Sequence, residues 1–213
     1  MKKFLVLGVL FLLPIVAYLF FASGINHFAK LPVLTEHVED VSNLEFRSDS
    51  IVSLKDKISV VAFFGNDPEA LKGNTFNLDQ KILQKFYGFK DFQFVVVLPE
   101  SAKGEVNDFV KEFDDITNSQ HWKFVYAPPA LVMSVFNSFK TNLQLDENLQ
   151  TPYVFLIDKD QNLRGRDDED EGLIYGYDSR SVSELNNKMN DDVKVILAEY
   201  RLELKKYKNQ KSE

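Results

Sequence analysis

Three places in this chain carry residues whose types and spacing could do chemistry, and each has a plain structural explanation beside it. Asp67 lies in the turn Gly65-Asn66-Asp67-Pro68, at the mouth of an apolar run, with Glu69 next to Pro68. A carboxylate there could hold a hard cation or act as a base, but an Asp-Pro pair also opens turns and caps helices. The stretch 158–169 (DKDQNLRGRDDE) sets Asp158, Asp160, Asn162 and Glu169 at positions one, three, five and twelve of a calcium loop. Position six, however, is Leu163 where such a loop turns on glycine, and no helical pattern flanks the stretch. A hairpin turn followed by a solvated acidic run, Asp167 to Glu171, accounts for the same letters. The histidines are His27, His37 and His121. None has a partner at metal-ligand spacing, so each is expected to be a linker or structural residue.

The chain contains no cysteine. Disulfides, thiolate ligands, iron-sulfur clusters and thiol redox chemistry are therefore excluded. No phosphate-binding glycine loop, dinucleotide fingerprint, zinc-helix motif or nucleophile elbow is present, and Ser134 and Ser138 have no base at a useful position. The sequence assigns no catalytic, metal-binding or cofactor-binding residue and no cofactor. Net charge is -7, and more negative still without Lys2 and Lys3. This argues against nucleic acid and against electrostatic docking on anionic lipid.

The elements that would position Asp67 begin with Ile58 to Phe64, apolar apart from Ser59 and short enough for a strand buried on both faces. Leu78, Ile82, Leu83 and Phe86 then recur at helical spacing and predict a helix over Thr75 to Tyr87. Phe92 to Leu98 predicts a second buried strand. Val106, Phe109, Val110, Phe113 and Ile116 predict an amphipathic helix. Trp122 to Tyr126 is a third strand, and Val132, Val135, Phe136 and Phe139 mark another helix after Pro128 and Pro129. Thr151-Pro152 introduces a strand over Tyr153 to Ile157, with Leu163 to Arg166 pairing back as a hairpin. Ser181 and Glu184 make a capping box for a long C-terminal helix with its apolar stripe from Val182 to Leu204.

Upstream, Phe4 to Ala22 carries no charge. As a helix it would span about 28 Å, close to the bilayer's hydrocarbon thickness. The bulky residues before Ser23 favour an uncleaved anchor over a cleaved signal peptide. Lys2 and Lys3 place the N-terminus in the cytoplasm and the rest outside, as a single-pass, extracytoplasmic membrane protein. The expected division is an anchor over 1–23, a spacer over 24–43, a folded domain over 44–204 and a solvated tail over 205–213.

The order strand, helix, strand, helix, proline-introduced strand, hairpin and C-terminal helix resembles the thioredoxin-like α/β fold, a central mixed sheet flanked by helices. With the N-terminal anchor, the helical insertion before Thr151-Pro152 and the FFGNDP turn, the chain resembles the Sco/SenC family, which helps assemble the copper centre of cytochrome oxidase. The resemblance covers Leu44 to Leu204. It implies copper ligands at two turn cysteines and one distant histidine. Phe64 and Pro68 match that signature, but the cysteine positions fall on Asp67 and Leu71 and the histidine position near Gln150. Copper(I) prefers soft sulfur ligands, which these residues do not supply. Met133, the nearest thioether in sequence, reads as a core residue. The expectation is a non-catalytic binding or assembly factor with a protein partner in or near the membrane. The alternative is a metal-handling or enzymatic protein that uses oxygen ligands, at Asp67 or in the Asp158 to Glu169 loop.

Overall fold

The apolar run that leads to Asp67 is the central strand of the sheet. A computed structural model describes residues 10–16, 30–46, 51–117, 119–167 and 175–211. A short helix, α1, covers residues 10–16. The strands are β1 (Val33–Thr35), β2 (Glu45–Phe46), β3 (Ile58–Phe64), β4 (Phe92–Pro99), β5 (Trp122–Ala127), β6 (Gln150–Ile157), β7 (Leu163–Arg164) and β8 (Tyr177–Asp178). They form one sheet in the order β1-β7-β6-β3-β4-β5-β2, with β8 also on β6. β3, β4 and β5 run parallel, as strands with crossover helices must, and β6 lies antiparallel to β3 with Val61 opposite Phe155.

Every residue of β3 and β4 is buried because both sheet faces are covered. Alternation of side chains divides them. Val60, Ala62, Phe64, Phe94 and Val96 pack under α2 (Pro68–Leu78), α4 (Lys103–Ile116) and α7 (Asn190–Lys211). Val61, Phe63, Val95 and Val97 face α5 (Pro129–Ser138) and the N-terminal loops, where Phe63 meets Phe136 edge-on at 5.2 Å between ring centres. The expected thioredoxin-like mixed sheet with flanking helices is what the chain forms.

Several boundaries differ from expectation. The first helix of the domain starts at Pro68, seven residues before the predicted Thr75, because Asp67 caps it and proline's fixed φ suits its first turn. It then passes through a π-helical turn, Asp79–Leu83, into α3 (Gln84–Phe86). The segment Ile51 to Leu54, whose apolar residues suggest a short strand before β3, is an irregular loop that still buries Val52 and Leu54. Asp40 ties it down, accepting from Leu54 N–H at 2.8 Å and Ser53 Oγ–H at 2.7 Å.

The spacer over 24–43 is corrected where it is described. β1 pairs with β7, Leu31, Val38 and Val41 are buried, and Thr35 Oγ1–H donates to the Phe139 carbonyl at 2.8 Å. The folded domain therefore takes in residues from Leu31 onward. These apolar residues follow no period because an irregular segment buries them, so their pattern does not announce structure. At the other end α7 continues past Leu204 to Lys211. Ser181 Oγ does accept from Glu184 N–H at 3.2 Å, capping α6 (Val182–Glu184), which leads through the turn Leu185–Met189 into α7.

Candidate functional site

The carboxyl end of β3 and the start of β6 meet at a turn and a cleft. Gly65 leaves the strand at φ +61°, and a Cβ there would overlap the Asn148 carbonyl and stand 2.7 Å from the Gln150 Cβ. Only glycine adopts that turn against so close a neighbour without strain. Opposite, Asp146 shapes the approach to β6, its Oδ1 accepting from Asn148 N–H at 2.8 Å and Gln150 N–H at 3.1 Å. Gln150 pairs with Phe64, and the register slips between Ala62 and Phe64. Pro152, which has no N–H to give to β3, directs its carbonyl to Ser179, accepting from the N–H at 3.0 Å and the hydroxyl at 2.6 Å. The Thr151-Pro152 bond is trans.

This divergence opens a cleft of about 380 Å³ whose walls include Phe64, Ala70, Asn74, Gln150, Pro152 and Arg180. Asn74 is only 7% exposed, and its side-chain amide makes no hydrogen bond among the described residues. Gln150 Oε1 is buried without a partner. Two under-used carboxamides beside apolar walls suit reversible hydrogen bonding to a neutral polar group. Arg180 at the rim is held in a fork by Asp178, at 3.0 and 2.8 Å. That pairing raises the guanidinium above its ordinary value and draws the Asp178 carboxyl below its own.

Asp67, Leu71 and Gln150 all lie at this end of the sheet, with the first two in structural roles. Asp67 Oδ1 accepts from Glu69 N–H at 3.0 Å and Ala70 N–H at 3.3 Å, closing the N-terminus of α2. Leu71 is 1% exposed, in the cluster that holds Phe64. Among the described residues neither an imidazole nor a sulfur atom lines the cleft. Met133 is half-buried on α5, across the sheet from α2. His121 Nδ1 meets the Phe92 carbonyl at 2.7 Å, and His37 N–H donates to Asn162. His27 lies outside the described residues, as does Glu169 with most of the acidic run.

In the other candidate stretch, residues 158–162 form the hairpin turn that joins β6 to β7. Asp158 accepts from the N–H groups of Asp160 at 3.0 Å and Asn162 at 2.9 Å, while its second oxygen takes Arg164 Nη1 at 3.0 Å. An arginine fills the place a cation would need. Among the described residues no group of three or more acidic, histidine or cysteine side chains could hold a metal ion.

Arg164 was invisible to pattern reading and is the most connected side chain on this flank. It is 7% exposed and also bonds Glu199 at 2.8 Å and the Leu31 carbonyl, while Leu31 N–H reaches Glu199 Oε1 at 3.0 Å. Its paired carboxylates outweigh burial and raise its affinity for its proton. Nearby, Arg166 grips Asp192 through two bonds of 2.9 and 3.0 Å, and Asp192 also accepts from Tyr177. Burial foremost, then Asp192, pushes the Tyr177 phenol well up.

No protein-family model and no curated protein matches the sequence. Solved structures do match. A SCO1/SenC family lipoprotein from Bacillus anthracis str. Ames is 18% identical, with 78% of this chain covering 95% of that one at a TM-score of 0.52. BsSco, described as a member of the Sco family of cytochrome c oxidase assembly proteins, is 16% identical over 78% and 92% of the two chains, with a TM-score of 0.51. Copper-bound ScoI of Arabidopsis thaliana is 16% identical over 74% and 98%, with a TM-score of 0.50. Identities this low speak to backbone architecture, and with the strand order and the proline-led β6 they agree on one: the chain has the thioredoxin-like fold of the Sco/SenC proteins.

Proposed function

We propose that this chain is a membrane-anchored, extracytoplasmic protein that uses the Sco frame for binding without redox or copper chemistry. It is a non-catalytic binding or assembly factor, in the setting of cytochrome oxidase or envelope assembly. The observation that carries this reading is the fate of the three ligand positions. One carboxylate is committed to capping α2, the second position is a leucine in the core, and the third is a glutamine. This donor set does not fit copper(I), which is held by thiolate, thioether or imidazole. The cleft retains two carboxamides with spare hydrogen-bonding capacity, and a partner's polar main chain or side chain would use them.

For the anchor, support comes from the composition of Phe4 to Ala22 and from α1. Within α1, Leu10, Phe11, Leu12, Leu13, Ile15 and Val16 are each more than half exposed. No helix among the described residues is itself long and apolar enough to cross a membrane.

The test is titration of the full-length chain with copper(I) and with calcium. Neither is expected to bind at micromolar concentration, and copper binding abolished by Asp67→Ala would overturn the reading. Calcium binding lost in Asp160→Ala would instead favour the oxygen-ligand alternative. Combining Asp67→Cys, Leu71→Cys and Gln150→His should create copper(I) binding if these residues occupy the ligand positions. Resistance of the native chain to carbonate extraction from membranes tests the anchor.

A further inference from the structure

Four cations surround an apolar groove between the end of α3 and α7. The groove measures about 430 Å³, and its floor includes Phe86, Phe89, Leu197 and Leu202. Lys85, Lys194, Arg201 and Lys205 stand around it, all exposed, and among the described residues no carboxylate lines it. The net charge of -7 by itself argues against docking on anionic lipid, and these four cations reverse the sign locally on this face. Lys194 bonds Asp191 at 2.8 Å, Lys85 bonds the Asn186 amide oxygen at 3.3 Å, and Arg201 lies over the Phe89 ring at 4.3 Å. Only Lys194 of the four pairs with a carboxylate among the described residues. Tyr87, 63% exposed, and Leu204, 44% exposed, adjoin groove residues in sequence and extend the apolar surface.

The same helix receives the N-terminal segment. Leu31 N–H donates to Glu199, the residue next to groove-lining Ala198. Only fourteen residues, 17 to 30, separate that point from the exposed apolar α1. Fully extended, they reach about 50 Å. A chain held in a bilayer by its N-terminus therefore keeps the start of β1 and its contact on α7 within about 50 Å of the lipid, near enough for the groove to reach it.

We infer that the groove between α3 and α7 is a membrane-docking face that sets its apolar floor and four cations against an anionic phospholipid surface. The inference rests on the anchored reading above for the tether, and on the groove itself for the choice of surface. An apolar floor ringed by lysine and arginine is the composition that binds a lipid interface, with burial supplying contact and the cations attraction to anionic headgroups. Attraction of this kind is screened by salt. Docking would fix the orientation of the domain relative to the bilayer.

Because the chain has no cysteine, Ala198→Cys carries a single fluorescent label in the groove and Leu131→Cys one on α5, across the sheet. The labelled full-length protein is reconstituted into phosphatidylcholine vesicles bearing a lipid-attached quencher, with and without phosphatidylglycerol. Position 198 should be quenched only with phosphatidylglycerol and released by high salt, while position 131 is unaffected. Lys194→Glu, Arg201→Glu and Lys205→Glu together should abolish the quenching, with circular dichroism verifying the fold. Release of the native surface by salt tests the same attraction without these substitutions. Flotation with vesicles but no quenching at 198 overturns the docking face and leaves the anchor standing. Salt-sensitive binding only to phosphatidylglycerol vesicles retains the face and removes the anchor. Failure to bind either vesicle overturns both, and energy transfer between labels on separate copies overturns the lipid surface in favour of self-association.

Discussion

Leu71 donates its backbone N–H to the Asp67 carbonyl at 3.0 Å, so the two residues that the resemblance sets at the thiolate positions of a Sco turn are joined by a hydrogen bond of the first turn of α2. The carboxylate of one is spent on backbone N–H groups and the side chain of the other on the core. Both residues have structural roles, and what they contribute can be measured as stability.

Asp67→Ala should lower unfolding stability by about 1 kcal/mol, the usual value of an N-cap. Asp67→Ser should recover most of it, since a hydroxyl also accepts from the first turn. Urea denaturation checks both, and an unchanged midpoint in the alanine variant would show that the cap contributes nothing.

Gly65→Ala should cost more, about 1 to 3 kcal/mol, because a side chain at φ +61° is strained and has Gln150 and Asn148 in its way. The midpoint should fall at constant denaturant dependence. Tolerance of alanine would mean that the turn at 146–150 yields readily.

Arg164→Met should destabilise by about 3 to 5 kcal/mol, because Asp158 and Glu199 would be left buried without their cation. Adding Asp158→Asn and Glu199→Gln should restore much of the loss. Hydrogen exchange at the Leu31 amide should accelerate in the single variant, since its acceptor is Glu199.

Asp91 supplies the acid dependence. Hydrogen bonding from Lys57, then from Tyr200, holds its carboxyl below the ordinary 3.8 against the opposing effect of burial. A depressed carboxyl stabilises the fold above its ordinary value, and that contribution is lost as the pH falls below 3.8. Asp91→Asn should therefore be less stable than the native chain at neutral pH, with the difference shrinking in acid. Tyr200 gives the alkaline counterpart: burial, then Asp91, pushes it up to about 12, so its contribution is lost from pH 10 upward. Thermal melts across pH locate both limbs.

Much of the architecture was legible because strands buried on both faces read as short continuous apolar runs and amphipathic helices repeat every three to four residues. Ile58 to Phe64, Phe92 to Leu98 and the stripe Val106 to Phe113 could hardly be anything else. The segment from Leu31 to Val41 and the loop from Ile51 to Leu54 were not legible. Their buried residues, Leu31, Val38, Val41, Val52 and Leu54, sit on irregular backbone held by Asp40, Thr35 and Arg164, partners that lie far along the chain or follow no period.

For the site, sequence alone determined what chemistry is absent, since a chain without cysteine has no thiolate at any position. It also located the turn and the facing Thr151-Pro152, because these lie at the ends of strands of unmistakable composition. Only tertiary structure decided what those residues do. Whether Asp67 faces a metal or a helix end, whether Asp158 faces calcium or Arg164, and whether scattered lysines converge on one groove depend on which distant side chains packing brings within a few ångströms. That proximity is set by the sheet order and by the crossing of α7, and no local spacing encodes it.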